Sequence, residues 1–596
     1  MSSQNLRGPA APALILALSL SLFACAVPED VPQAVDEPEP ARTKLINEPE
    51  DGQASTVPPT VLPEADAAGE TKQSRRVDEM AVASKGAPGR MEQIIVTSRS
   101  RGVADLSMAH RYLPGEPLDR ENYGEIQTNP LRLVGEHPVS TFSIDVDTGA
   151  YSNVRRLLNE GRLPPQDAVR VEELINYFDY AYPLPKDLRQ PFAINTQLAQ
   201  APWNTERLLM QIGIKGFEVA NEERPAANLV FLIDVSGSMH DPRKLPLLRQ
   251  SMKLLTRQMS SADRVSLVVY AGAAGVVLEP TPGDQQAKIL TALDQLQAGG
   301  STNGAGGIRA AYQMARQGYI ADGINRIMLA TDGDFNVGTV DFDTLVDLVE
   351  REREAGVSLT TLGFGGGNYN DHLMEQLADA GNGNHAYIDN LNEARKVLVE
   401  QMGSTLQTIA KDVKIQVEFN PDVVAEYRLI GYENRLLRRE DFNNDKIDAG
   451  EIGAGHTVTA LYELTLVNSA ARLIDPLRYG QRQTAVQTDV GEAAFVRLRY
   501  KAPNGSTSRL IERPVRMVDA ADTANGELGF AAAVAAFGQL LRGGEYLGDY
   551  GYADVLQLAA QAKGSDPHGY RGEFMGLVRL ADSLATVTPP ERQAQR

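Results

Sequence analysis

A run of five apolar residues, 229–233, has the pattern of a strand that is buried on both faces of a sheet. The run ends at Asp234, and Ser236 and Ser238 follow it around Gly237, whose missing side chain allows a tight turn. In an open α/β sheet, ligands bind just beyond the carboxyl ends of the strands. The pattern therefore predicts three oxygen-bearing side chains at a binding edge.

Strand and helix patterns alternate through residues 226–405. Apolar runs predict strands at 228–234, 264–270, 275–279, 326–330, 358–364 and 385–388. Amphipathic spacing predicts helices at 244–259, 285–296, 305–317, 341–355, 371–380 and 392–409. This alternation predicts a doubly wound, Rossmann-like α/β domain.

Alternating apolar and polar residues predict half-buried strands on both sides of that domain, at 192–198, 208–214, 413–419, 457–467 and 494–500. The economical hypothesis is that residues 191–220 and 411–516 share one β-domain into which the α/β domain is inserted. Helical patterns return at 523–542 and 552–585. The predicted fold class is therefore α/β, with a doubly wound domain between β-rich, α+β flanks.

Residues 106–190 have a mixed pattern, with a strand predicted at 140–146 and helices at 151–158 and 169–178. Asp147, Thr148 and Gly149 follow the strand and match the aspartic-protease signature, which needs two carboxylates that share a proton. The chain holds no second such triplet, so a protease would require a homodimer. The alternative is a strand-to-helix turn that bends at Gly149.

Length and charge limit the classes of function. A chain of 596 residues is too long for one core, so about three folded units are expected. The net charge of −20 argues against nucleic acid as a partner. The single cysteine excludes an intrachain disulfide, so the fold depends on its hydrophobic cores.

The N-terminus has the pattern of a signal peptide, residues 1–24. Arg7 precedes the apolar run 11–23, which is too short to span a bilayer. The run ends in Leu-Phe-Ala-Cys, which resembles the bacterial lipobox, and the resemblance implies that Cys25 becomes the lipidated first residue. Because Ala26 follows and not aspartate, the resemblance implies an outer-membrane lipoprotein, on either the periplasmic or the surface face. The lipid would be the only membrane anchor.

Residues 25–105 are rich in Pro, Glu, Asp and Ala, which predicts an extended acidic tether. Within it, Ile94, Ile95, Val96 and Thr97 form a short β-prone segment. The segment resembles the N-terminal motif that TonB-dependent receptors present in the periplasm, which implies strand addition to a TonB-like partner. The alternative is a strand that docks on the protein's own body.

The Asp-x-Ser-x-Ser sequence at Asp234, Ser236 and Ser238 resembles the metal-ion-dependent adhesion site of von Willebrand factor type A domains. Thr302 and Asp332 stand where that family has its remaining ligands. The resemblance implies that the hydroxyls coordinate a metal directly and that the carboxylates act partly through water. The all-oxygen set suits Mg²⁺, with Mn²⁺ or Ca²⁺ as alternatives, and not zinc. A metal held this way can accept an Asp or Glu carboxylate from a protein ligand.

The Asn-Tyr-Phe-Asp-Tyr sequence at 176–180 and the C-terminal third resemble YfbK-like lipoproteins with a type A domain. The favoured hypothesis is a lipid-anchored, non-enzymatic protein for metal-dependent protein recognition. The alternative is an envelope hydrolase that uses Asp147 or the metal, but a hydrolytic metal needs a general base, and the three site loops offer no His or Glu. The predicted units are 1–24, 25–105, 106–222, 223–405 and 406–596.

Overall fold

The structure, a computed structural model of the chain, describes residues 121–187, 190–219, 224–301, 304–333, 342–367, 369–447, 449–475, 491–503 and 505–587. Its strands are β1 (Arg132–Leu133), β2 (Val139–Ser143), β3 (Phe192–Ala201), β4 (Asn204–Gly216), β5 (Ala227–Asp234), β6 (Arg264–Tyr270), β7 (Ala274–Pro282), β8 (Ile324–Thr331), β9 (Ser358–Phe364), β10 (His385–Ile388), β11 (Thr408–Phe419), β12 (Val424–Ile430), β13 (Ile452–Gly453), β14 (Thr457–Leu466), β15 (Glu492–Lys501), β16 (Ser508–Arg516) and β17 (Ala520–Ala521).

The helices are α1 (Gly149–Asn159), α2 (Val171–Asn176), α3 (Leu245–Thr256), α4 (Gln286–Asp294), α5 (Gly304–Gln317), α6 (Phe342–Glu354), α7 (Asp371–Ala380), α8 (Leu391–Arg395), α9 (Met402–Leu406), α10 (Gly526–Leu541), α11 (Tyr552–Gln561) and α12 (Tyr570–Val587). Among the described residues, no helix combines the length and the apolar character that crossing a membrane requires.

A six-stranded sheet in the order β10-β9-β8-β5-β6-β7 forms the centre of the α/β domain. Its strands are parallel except β7, which runs antiparallel to β6. Successive residues of β5 face opposite sides, so Leu229 and Phe231 join one hydrophobic cluster and Val230 and Leu232 join another. Helices therefore cover both faces, and the predicted doubly wound α/β class is confirmed.

Two further sheets form the rest of the body, in the orders β1-β12-β14-β4-β3-β17 and β13-β11-β15-β16, with β2 paired to β11. One hydrophobic cluster contains residues from both sheets, such as Met210 and Ile212 from the first and Ile415 and Val417 from the second. A second cluster packs α1, α2 and α10 to α12 against the first sheet. The body is thus two packed sheets with a helical layer.

Strand β4 precedes the α/β domain in the chain and β14 follows it, yet the two are antiparallel neighbours. Their register runs from Lys215 opposite Thr457 to Leu208 opposite Leu464. The hypothesis that strands on both sides of the α/β domain share one sheet is confirmed. The exact limits of the predicted units stay predictions.

The predicted helix 392–409 is wrong in its continuity and in its last residues. The helix gives way to a π-helical turn at Lys396–Glu400 and a short α9, and Thr408 already belongs to β11. Thr408 pairs with Gly453, and Thr408 and Ile409 are β-branched residues that fit a strand. The segment 552–585 forms two helices, because Gly564, Pro567 and Gly569 separate α11 from α12.

Candidate metal site of the α/β domain

Asp234 is the last residue of β5, and its side chain is fully buried at the carboxyl end of the sheet. The backbone N–H of Ser236 donates to Asp234 Oδ1 at 2.8 Å, which closes the turn after the strand. The hydroxyls of Ser236 and Ser238 lie 3.0 Å apart, with Ser236 buried and Ser238 exposed. The loop thus brings its three predicted oxygen ligands together, with one of them at the surface.

The end of β8 supplies the second part of the site. The Thr331 hydroxyl donates to Asp234 Oδ2 at 3.0 Å, which ties β8 to the neighbouring β5. Asp332, the next residue, is fully buried. Gly333 has φ +88°, and a Cβ there would lie 2.4 Å from the backbone nitrogen of Asn370, so only glycine fits this turn without strain.

The third part of the site is the loop that leads to Thr302. Gly237 N donates to Gly300 O at 3.0 Å, and Gly299 N donates to Val235 O at 2.7 Å. These two bonds hold the loop against the Asp-x-Ser-x-Ser turn as far as Ser301. Thr302 lies outside the described residues, so its predicted contact with the metal stays a prediction.

Burial raises the pKa of Asp234 to about 6, and the negative charge of Asp332 also raises it. Hydrogen bonds from Ser236 and Thr331 act in the opposite direction. The neighbouring carboxylate thus disfavours the ionised form of Asp234, and a cation beside Asp234 would favour that form. The electrostatics therefore suit a bound cation.

The donor set fits a hard divalent cation. Its members on the described residues are carboxylate and hydroxyl oxygens, which are the ligands of Mg²⁺, Mn²⁺ and Ca²⁺. Within the described part of the chain, no cluster of three or more His, Cys, Asp or Glu side chains is placed to hold a metal ion. The predicted set has two carboxylates only, so metal binding here would depend on the hydroxyls.

Sequence reasoning missed two residues at this site, Thr331 and Lys244. The Lys244 ammonium donates to Asp332 Oδ2 at 2.8 Å, and its side chain is only 9% exposed. In the sequence, Lys244 follows Arg243 at the start of a predicted helix, where a charged side chain is usually solvated. Only the fold, which brings the start of α3 beside the end of β8, reveals it as part of the site.

Asp147 does not have the surroundings of a protease carboxylate. Its side chain is buried, with Oδ1 accepting a hydrogen bond from the backbone N–H of His385 at 2.8 Å and Oδ2 lying 3.4 Å from Arg435. Burial, followed by the charge of Asp145, raises its pKa well above the usual range. The turn at Gly149 begins α1, as the alternative predicted. Asp147 fastens the α/β domain to the body, and the hydrolase alternative is not supported.

The predicted lipidation residue Cys25, the tether and the β-prone segment Ile94, Ile95, Val96 and Thr97 all lie outside the described residues.

Three family descriptions match consecutive parts of this chain. The von Willebrand factor type A domain family matches residues 228–401, and a second family, described as von Willebrand factor, matches residues 117–211. The C-terminal region of the uncharacterized protein YfbK matches residues 404–584. The chain is also 46% identical over 507 residues to the uncharacterized protein YfbK of Escherichia coli (strain K12), covering 84% of this chain and 86% of that protein. The chain belongs to the YfbK family.

More distant similarities are confined to parts of the chain or of the relative. The uncharacterized protein sll0103 of Synechocystis sp. (strain ATCC 27184 / PCC 6803 / Kazusa) is 29% identical over 196 residues, which cover 33% of this chain and 45% of that protein. A solved von Willebrand factor type A protein from Catenulispora acidiphila is 16% identical, with a TM-score of 0.37 over 65% of this chain and 89% of its own. The assignment to the YfbK family rests on the stronger similarities.

Proposed function

We propose that this YfbK family protein is a binding protein whose type A domain holds a divalent metal ion, most simply Mg²⁺, and recognises an Asp or Glu of a protein partner. The observation that carries the proposal is the geometry around Asp234. A fully buried carboxylate lies at the carboxyl end of the sheet, with the adjacent hydroxyls of Ser236 and Ser238 only 3.0 Å apart. The domain family supports protein recognition in general, and the donor chemistry supports the metal.

Asp234, Ser236, Ser238 and Asp332 would hold the ion, together with Thr302. When bound, the ion supplies a Lewis-acidic position that a partner carboxylate can occupy. The chain's own residues orient that position. The Ser236 N–H and the Thr331 hydroxyl fix the Asp234 carboxylate, and Ser238 lies at the surface where a partner approaches. The hydroxyl and carboxylate donors, held in a fixed orientation, suit binding of a ligand.

Replacing Asp234 by asparagine should lower the affinity for Mg²⁺ by about 100-fold or more, since it removes one of two carboxylates while keeping the side chain's shape. Ser238→Ala should weaken binding less, since it removes a neutral ligand. Isothermal titration of the metal-free full chain with MgCl₂ measures both effects.

The matched control is Asp241→Asn, which removes the same charge from a carboxylate that lies outside the donor set and accepts from Arg243. Its affinity for Mg²⁺ should stay near that of the wild type, and all variants should keep the wild-type melting temperature in EDTA. If Asp234→Asn binds Mg²⁺ as tightly as the wild type, the metal site is not at Asp234 and the proposal fails.

We further propose that a lipid on Cys25 anchors the protein to the outer membrane, with residues 25–105 as the tether. A TonB-like periplasmic partner of the segment Ile94 to Thr97 belongs to the same proposal.

The lipid anchor is supported by the lone cysteine, which follows an apolar run and the sequence Leu-Phe-Ala. Cys25→Ser should move the protein from the membrane fraction to the soluble fraction, with an alanine-to-serine change at Ala26 as a control that retains the lipid. A Cys25→Ser protein that still fractionates with the outer membrane would refute the anchor.

A further inference from the structure

Lys244 places a positive charge at the metal site itself. It precedes α3, and its ammonium lies 2.8 Å from Asp332 Oδ2 with both side chains buried. The other buried carboxylate of the site, Asp234, is close enough for Asp332 to affect its pKa. A positive charge of the chain itself therefore lies beside the two carboxylates.

The methylene groups of the Lys244 side chain are packed against the protein, and this packing positions the ammonium. A Cβ on Gly365 would lie 2.4 Å from both Cγ and Cε of Lys244, so the methylene stem lies directly against the glycine backbone after β9. Gly365 has φ +73°, a conformation that favours glycine. The stem thus passes through a slot that a larger residue at position 365 would close.

The slot is supported by β10 of the α/β domain and by Glu121 and Arg156 of the body. The Tyr387 hydroxyl donates to Gly365 O, and Glu121 Oε1 accepts from Gly367 N at 2.7 Å. Arg156, on α1, donates to the same Glu121 at 2.8 Å and would contact a Cβ on Gly366. The body thus braces the loop on which Lys244 rests, so the ammonium is a built feature of the site.

The charges of these groups have a direct consequence for binding. Among the described residues, Asp234, Asp332 and Lys244 together carry a net charge of −1, so a divalent ion would bring this group of charges to +1. Without the ammonium, the same ion would leave the site neutral. A like charge nearby weakens binding of a cation, and a surplus positive charge favours an incoming anion.

We propose that Lys244 is a specificity-determining residue of this site, which weakens retention of the metal and strengthens capture of a carboxylate. The inference rests on the proposed metal-dependent function and identifies the partner's contact group as anionic. Lys244 acts on the metal by its charge and on the partner by leaving the loaded site positive. A lysine that served the fold alone would have no such opposite effects.

The test replaces Lys244 by methionine in the full chain, because methionine has a similar unbranched stem without the charge. Titration with Mn²⁺ alone should show roughly tenfold or more tighter binding than the wild type, because the repulsion is gone. Acetate is then titrated into the Mn²⁺-loaded proteins, and its displacement of metal-bound water is followed by water-proton relaxation. Acetate should bind severalfold more weakly to Lys244→Met than to the wild type.

Lys253→Met is the matched control, since Lys253 lies on α3, the helix that Lys244 precedes, but pairs with the exposed Asp294. Lys253→Met should change neither the affinity for Mn²⁺ nor the affinity of the Mn²⁺-loaded protein for acetate. Lys244→Gln, which keeps a hydrogen-bond donor, is the second variant if Lys244→Met does not fold, and it should shift both affinities in the same directions. Unchanged Mn²⁺ binding by the folded variants would overturn the inference, because the charge of Lys244 would then have no effect on the metal. Weaker Mn²⁺ binding would also overturn it, because damage to the site lowers the affinity for Mn²⁺ and for acetate together.

The same titrations separate this inference from the proposed function. If the wild type binds Mn²⁺ and Asp234→Asn does not, but removing Lys244 leaves both affinities unchanged, the proposed function stands and the inference about Lys244 falls. If the wild type itself binds no Mn²⁺, both fall together.

Discussion

Replacing Arg155 with methionine is expected to lower the free energy of unfolding by about 3–5 kcal/mol, because it leaves buried carboxylates without their counter-charge. Arg155 is on α1 and only 2% exposed, and it donates to Asp389 at 2.8 Å, Glu393 at 2.7 Å and Glu573 at 2.9 Å. Burial raises the pKa of Glu393, but Arg155 outweighs that effect and holds the pKa below its usual range. The guanidinium therefore keeps the Glu393 carboxylate ionised inside the protein.

Denaturation of the full chain by guanidinium chloride, followed by circular dichroism, measures this loss. Arg162→Met is the matched control, since Arg162 pairs with Glu160 while its side chain is 47% exposed, and it should change stability by at most about 0.5 kcal/mol. A loss below about 1 kcal/mol for Arg155→Met would mean that the buried network contributes little beyond its packing.

The position of Arg155 shows why this network could not be predicted from the sequence. Asp389 and Glu393 belong to the α/β domain, and Glu573 lies in the first turn of the last helix, more than four hundred residues along the chain from Arg155. Amphipathic spacing identified α1, but a charged residue on a helix is normally solvated. Arg155 becomes part of a buried ion network only because three segments that are far apart in the chain pack together.

The strands of the α/β domain were predicted closely for a simple physical reason. A strand buried on both faces is an uninterrupted apolar run, as residues 229–233 are, and its ends are marked by polar residues. The last helix of the domain was predicted a few residues too long, because helical spacing continues to residue 409 while Thr408 belongs to β11 and pairs with Gly453. Tertiary pairing overrides local pattern there.

The candidate site also contains residues that the local sequence pattern reveals and residues that only the fold reveals. Asp234, Ser236 and Ser238 were predicted because all three stand in one loop after a recognisable strand, and Asp332 by its resemblance to the family. Lys244 carried no local signal, since its contact with Asp332 depends on how α3 begins beside β8. Site residues that contact each other across separate loops can be identified only from the fold, whereas site residues within one loop can be identified from the sequence.

The contacts between the α/β domain and the body are largely ionic. Besides Arg155, Arg170 on the body pairs with Asp371 of α7, and Arg435 pairs with Asp379. The hydrophobic clusters of the described residues, in contrast, each lie on one side of this boundary. Those of the α/β domain draw on residues 227–406, and those of the body draw on residues before and after that range. Separating the domain would therefore expose charged side chains and leave its own cores complete.

A fragment of residues 226–405 should accordingly fold alone, whereas residues 406–596 alone should aggregate. The C-terminal fragment lacks β4, so β14 would present an unpaired edge in the middle of its sheet, from Thr457 to Leu464. It also lacks α1 and α2, whose Leu158 and Leu174 pack in the cluster that buries Phe530 and Phe537 of α10. Exposed strand edges and apolar helix faces together favour association.

Size-exclusion chromatography and thermal melting of the two fragments measure the outcome. Supplying residues 109–222 together with 406–596 is the decisive control, because it restores β4 and both helices without the α/β domain and should rescue solubility. A soluble 406–596 fragment that melts cooperatively on its own would contradict the interleaved body. Failure of 226–405 to fold would instead mean that the ionic contacts of Arg155 and Arg170 are required for the α/β domain, and not only for its attachment.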